Sequence, residues 1–102
     1  MKSLSRNTIQ YLKGCAHSMK PVVLIGKNGL SAGVIGAIDD VLDSHELIKI
    51  KFIDCKEEKK DLSRSIVQQT KSIMVGLIGN VLIVYRPHAE IDKRQYERAV
   101  AG

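Results

Sequence analysis

Two apolar runs, Ile73–Ile78 and Val81–Tyr85, are joined by Gly79-Asn80 alone, and no other stretch of the chain restricts the fold as strongly. Short runs rich in Ile, Val and Leu favour strands, and a two-residue glycine-asparagine connection is of the kind that tight hairpins prefer. Apolar residues occupy both faces of these runs. The pattern therefore predicts that both strands lie centrally in a sheet, with helices covering one face and part of the other.

The residues upstream supply the remaining elements. Residues 4–17 read as a helix, with Ser5 as N-cap, Leu4 and Ile9 at the positions of a hydrophobic staple, and Ile9, Leu12 and Ala16 on one stripe. Lys13 and His17 stand one turn apart on a different face. Gly14 weakens this helix, and Lys20-Pro21 ends it, because the residue before proline avoids helical angles. A short strand at 22–25 leads to Gly26-Lys27-Asn28-Gly29-Leu30, and Ser31 then caps a second helix that runs to about His45. Val34, Ile35, Ile38, Val41 and Leu42 mark its buried face, while Gly33 and Gly36 loosen it by roughly 1 kcal/mol each relative to alanine.

From 47 to 53 the sequence alternates, with Ile48, Ile50 and Phe52 facing one way and Lys49 and Lys51 the other, as in a strand with a basic outer face. The charged stretch 56–60 opens a third helix to about Thr70, its inner side marked by Leu62, Ile66 and Gln69. The order αβαβαββ, with two βαβ crossovers and a closing hairpin, predicts one α/β domain with a mixed four-stranded sheet packed with three helices. That domain is expected to span 1–86. In the 87–102 tail, Glu90 and Arg94 suit a short helix, but Ile91, Tyr96 and Val100 are irregularly spaced, and a loose tail fits equally well.

At 102 residues and 44% apolar, the chain can bury one modest core without metals or disulfides. Cys15 and Cys55 lack CxxC spacing and nearby metal-ligand partners, so both read as reduced thiols, with neither a zinc site nor a redox motif. The apolar runs are too short for a membrane span and the polar start is unlike a secretory signal, which makes a cytoplasmic address the expectation.

The formal charge of +5 is unevenly distributed. Lys2, Arg6, Lys13, Lys20 and Lys27 precede the first acid, Asp39; residues 39–86 hold eight acids and eight bases, and the tail holds three of each. A polyanion is drawn to the first third of the chain. Within that third, two glycines bracket Lys27 and Asn28 just before a helix start, whose unpaired amides and positive dipole end favour phosphate oxygens. A glycine pair between a strand and a helix is often only a turn. The spacing matches neither GxxxxGK[ST] nor GxGxxG, which removes ATP and NAD as leading ligands, whereas a GxxG turn is the feature by which KH-type modules clamp a nucleic-acid backbone.

With these residues the chain resembles the CRM domain family (chloroplast RNA splicing and ribosome maturation), and in particular its stand-alone bacterial members of the YhbY type. The resemblance runs from Leu12 to Arg86 through Leu12-Lys13-Gly14-Cys15-Ala16-His17, the stretch from Lys20-Pro21 to Leu30, His45-Glu46-Leu47-Ile48-Lys49-Ile50-Lys51, and Ile78-Gly79-Asn80 onward to Arg86. It implies an RNA-binding domain similar in fold to the C-terminal domain of translation initiation factor three, associated in bacteria with precursors of the large ribosomal subunit. Plant relatives use the domain in intron splicing. The implied RNA-binding positions are Gly26, Lys27, Asn28 and Gly29, with Lys13, Lys20, Lys49 and Lys51 beside them; Arg86, at the hairpin end, is a further candidate. The sequence departs from the family at Lys71-Ser72, where relatives often have a glycine-containing turn.

His17 reads more simply as a packed side chain than as a phosphate ligand, and His45 and His88 rank below it. Asp39, Asp40 and Asp43 read as a solvated helix face, so no nucleophile with its base and no carboxylate pair suggests an enzyme. The expected partner is RNA, from the large ribosomal subunit or its precursor, bound by a monomer without cofactor. The competing expectation is a protein-interaction adaptor on ribosomal particles that makes no direct RNA contact.

Overall fold

The computed structural model describes residues 4–94 and Tyr96. Helix α1 (Arg6–Ala16) starts at Ser5, whose hydroxyl accepts the Thr8 amide at 3.1 Å, and α2 (Ala32–Ser44) starts at Ser31, which accepts from Val34 at 3.2 Å. Each hydroxyl satisfies an amide that no carbonyl of its own helix can reach. Leu4 and Ile9 pack into the same cluster, as a staple requires. Helix α3 (Lys59–Thr70) is instead entered through a 3₁₀ turn at Lys56–Glu58. Its inner side carries Leu62, Ser63, Ile66 and Thr70, while Gln69, expected there, faces solvent and donates to Ser65 Oγ at 2.7 Å. Small hydroxyl residues continue the buried stripe, and an apolar count along the sequence passes over them.

Strands β1 (Val23–Ile25), β2 (Leu47–Phe52), β3 (Ile73–Ile78) and β4 (Val81–Tyr85) form one four-stranded sheet in the order β1-β2-β4-β3. β1 lies parallel to β2, with Val23 opposite Ile50, and β4 is antiparallel to both β2 and β3. β2 and β3 are therefore parallel, separated by the width of one strand. The chain fills that gap by turning back through Gly79, at φ 58°, so that β4 slides between them. Only β4 is central. β3, expected beside it in the interior, is an edge strand, and its two apolar faces have another cause: α3 packs on one and α1 on the other. A residue covered above and below looks the same in sequence whether or not its strand is paired on both sides.

The larger core lies where Ile48, Ile50, Phe52, Leu82 and Val84 of the sheet meet Ile38 and Leu42 of α2 and Ile66 of α3. The smaller one lies under α1, where Leu12 and Ala16 cover Leu47, Val75, Ile83 and Tyr85. Val75 reaches that second core by alternation from Met74, and a register shift between Met74 and Gly76 then sets Gly76 as well opposite Ile83, on the α1 side. The alternation of β2 holds, with Lys49 and Lys51 on the α1 side. The described part of the tail also packs: buried Glu46 accepts the His88 amide at 2.8 Å, and Tyr96 meets Tyr85 edge to face at 6.1 Å. Burial, followed by the charges of Cys15, Glu46 and Tyr11, raises the Tyr96 phenol above its ordinary pKa. A 3₁₀ turn at Ile91–Lys93 stands where a short helix was one expectation; residue 95 and residues 97–102, including Val100, lie outside the described residues.

Lys71 ends α3 in the left-handed region, at φ 54°, with its amide on the Val67 carbonyl. Glycine is the usual residue at such a position, which accounts for the departure noted at Lys71-Ser72. Replacing Lys71 with glycine relieves the crowding of Cβ against the backbone, and the variant is expected to gain up to about 1 kcal/mol. Denaturant unfolding of the two proteins measures this; an unchanged or lowered midpoint refutes it.

Candidate nucleic-acid interface

The 26–29 loop leaves the end of β1 as a reverse turn, in which the Gly29 amide donates to the Gly26 carbonyl at 3.1 Å. Gly29 has φ 61°, a value that favours glycine. Gly26 has no such requirement, and a Cβ built there meets nothing within 4 Å. One glycine of the pair thus serves the turn, and the other leaves the backbone bare for no reason internal to the fold. Beneath the turn, the Ile25 carbonyl accepts the Ile53 amide at 3.0 Å and the Asp54 amide at 3.1 Å, and Cys55 Sγ lies 3.6 Å from the Gly26 carbonyl. Lys27 and Asn28 are exposed. Asp54, Cys55, Lys56, Glu57 and Glu58 line a hollow on this side, with three acids to one base.

The α1 side of the sheet is basic. Lys13 lies over Gly76, close enough that a Cβ there would come within 2.9 Å of Lys13 Cε. The lysine stem fits because glycine leaves the space. Lys49 Nζ donates to the carbonyls of His17, at 3.2 Å, and Met19, at 3.1 Å, placing a cation at the C-terminal end of α1, where the helix dipole favours it. Lys13, His17 and Lys49 share a cavity of about 200 Å³ with Ile78, Val81 and Ile83. Lys20 and Lys49 border a second hollow of about 230 Å³, beside Met19, Val22, Tyr96 and the buried acid Glu46. Exposed Lys51 sits opposite Leu24 on one side and Val81 on the other.

Arg86 stands apart from this group. Its guanidinium pairs with Asp39 and with Asp43, the latter at 2.9 Å, and donates to the carbonyls of Thr70 at 2.7 Å and Asp39 at 3.0 Å. It ties α2 to the end of α3, on the opposite side of the sheet from Lys13 and Lys49. Asp39 and Asp43 are accordingly its partners as well as part of a solvated helix face. His88 is also internally engaged, accepting the Glu90 amide at 3.0 Å.

Apolar exposure on the basic face was not singled out from sequence. Leu24 is 53% exposed and Ile78 57%, although each belongs to a strand whose neighbouring residues are largely covered. The signal was Leu24 itself, an apolar residue at the outward position between Val23 and Ile25. Among the described residues, no group of three or more His, Cys, Asp or Glu side chains could hold a metal ion, and no helix is long and apolar enough to cross a membrane.

Residues 4–86 match the model of the CRS1 / YhbY (CRM) domain. The chain belongs to this family. It is similar to a Haemophilus influenzae protein named "RNA-binding protein", 45% identical over 91 residues that cover 88% of this chain and 92% of that protein. A Bacillus subtilis relative, "Probable RNA-binding protein YqeI", is 32% identical over 82 residues, covering 79% and 85% of the two chains. The solution structure of a Staphylococcus aureus protein superposes with a TM-score of 0.76 at 32% identity, over 90% of this chain and 97% of the other. The CRM domain therefore contains the loop, the lysines and the packed hairpin alike.

The two loop glycines are expected to respond differently. Gly29→Ala forces a Cβ into the left-handed region and should cost about 1 kcal/mol, whereas Gly26→Ala should change stability by less than about 0.5 kcal/mol. Equal losses in a thermal unfolding comparison contradict the assignment. Arg86→Ala, which removes the guanidinium's bonds to two carboxylates and two carbonyls, should lower stability by roughly 1–3 kcal/mol, and an unaltered melting temperature contradicts its structural role.

Proposed function

We propose that this CRM domain binds RNA through its sugar-phosphate backbone, using Gly26, Lys27, Asn28 and Gly29 together with Lys13, Lys20, Lys49 and Lys51. The observation that carries the reading is the segregation of charge: these lysines border α1, the outer face of β2 and the loop, while Arg86 is held by acids on the other side of the sheet. The unneeded bareness of Gly26 supports close approach of a backbone. Relatives named for RNA binding support the same partner. Phosphate contacts of this kind position a nucleic acid without reading its sequence.

In this reading the protein acts in the cytoplasm as a monomeric assembly factor that holds a segment of large-subunit ribosomal RNA while the precursor particle matures. Catalysis and a cofactor have no part in it; the domain's contribution is geometric and electrostatic. Arg86, the remaining candidate from sequence, is left out because its donors are engaged within the protein.

The test is binding of the purified protein to large-subunit ribosomal RNA fragments over a salt series, beside the Lys20→Ala, Lys27→Ala double variant. Loss of two phosphate contacts should make the slope of log affinity against log salt shallower by about 1–2. Binding indifferent to both salt and the variant overturns the proposal in favour of the protein-adaptor reading.

A further inference from the structure

Helix α1 covers only part of its face of the sheet. Beyond it, Leu24, Lys51, Val81 and Ile78 stand in register across all four strands, Leu24 opposite Lys51, Lys51 opposite Val81, and Val81 opposite Ile78. Two of the four are apolar residues more than half exposed. Between this row and α1 lies the 200 Å³ cavity, with an aliphatic floor of Ile78, Val81 and Ile83 and a rim of Lys13, His17 and Lys49. Exposed apolar surface on a sheet face is a mark of a binding site when polar groups rim it. Here the rim is basic, and no acid lines the cavity.

The two halves of the cavity ask for one ligand that is flat and apolar in one part and anionic in another. At about 200 Å³ the space falls below the roughly 300–1,000 Å³ of pockets that enclose drug-sized ligands, which suits a single planar ring whose remainder stays outside. A nucleobase attached to its sugar-phosphate has that form. Lys49 uses two of an ammonium's three donors on the carbonyls of His17 and Met19, leaving one to turn outward, and Lys13 is held over Gly76 at the same rim. Phe52 and Tyr85 are buried in the two cores, so the base would rest on aliphatic side chains and not on an aromatic platform.

We infer that this cavity receives one unstacked base of a single-stranded RNA segment, with Lys13 and Lys49 at the adjoining phosphates. The strand then runs from the 26–29 loop along Leu24 and Lys51 to the groove beneath α1, away from the hollow at residues 54–58, where three acids stand with one lysine. The inference rests on the RNA reading and adds to it a base-contacting site and a requirement for unpaired RNA, since a base inside a duplex cannot leave the stack without cost.

Methyl NMR of the full chain, titrated with a single-stranded oligoribonucleotide and with an abasic oligonucleotide of the same length, tests this directly. The base-bearing strand should move the methyls of Ile78, Val81 and Ile83 upfield by its ring current, and the abasic strand should not, while Leu42 in the far core stays in place with both. Ile78→Ser, at an exposed position that spares the fold, should weaken binding by about three- to tenfold, as expected for losing the contact of one apolar side chain, with the salt slope unchanged. Equal methyl shifts with the abasic strand, or unaltered affinity of Ile78→Ser while the Lys20→Ala, Lys27→Ala variant still flattens the slope, overturns the base site and leaves backbone binding intact. Absence of binding by any strand overturns both.

Discussion

Strand β4 builds both cores at once. Leu82 and Val84 point into the layer beneath α2 and α3, and Ile83 and Tyr85 into the layer beneath α1. Its place between β2 and β3 satisfies the backbone groups of both neighbours and joins the two parallel halves of the sheet into one. The insertion depends on a turn tight enough to reverse the chain within two residues, which Gly79 allows at φ 58° and Lys59 secures by donating to the Gly79 carbonyl at 2.8 Å. Without β4, β2 and β3 would be parallel strands with a gap between them, and α1 would have no floor to cover.

The two sheet faces are treated unequally, and the proposed binding surface follows from that inequality. Two helices, each reached by a crossover, fill one side. Among the described residues, the other side receives α1, a helix of 11 residues, and Tyr96 of the tail, both toward the Tyr85 end, which leaves the Leu24-to-Ile78 row open. A second helix there would bury Lys51 unpaired, at a cost of several kcal/mol for an ammonium moved out of water. The lysines of β2 thus keep half the sheet exposed as much as they decorate it. Gly76 has a related role, since it gives the Lys13 stem room to lie flat on β3 while its charge stays at the rim.

Most of the architecture was legible because local signals and global fold agree. Ser5 and Ser31 cap the helices they were expected to cap, the alternation of β2 sorts isoleucines from lysines, and Gly79-Asn80 marks the hairpin. Three features were not legible, each for a physical reason. The edge position of β3 is hidden because helices on both faces produce the same apolar pattern as strands on both sides. Gln69 was expected inward because its spacing fits, but Ser63 and Thr70, small enough to pack and with Thr70 donating to the Ile66 carbonyl at 2.7 Å, take the inner positions. Arg86 looked like a surface cation because its partners, Asp39 and Asp43, are more than 40 positions away, and no local rule connects them.

Arg86 also shows how charges distant in sequence sort in space. The middle of the chain is neutral overall, yet its acids and bases do not mix evenly in space: Asp39 and Asp43 hold Arg86 on the α2 side, and Asp54, Glu57 and Glu58 gather beside the loop. Apart from the buried Glu46, the charges on the α1 side are positive, so Lys49 and Lys51, drawn from the balanced segment, join Lys13 and Lys20 from the unopposed one. The resulting field has a direction as well as a sign. In the proposed reading, an extended polyanion placed across it would meet three acids and one lysine at the 54–58 turn and attraction along β2, an asymmetry that would orient the strand before any contact with a base.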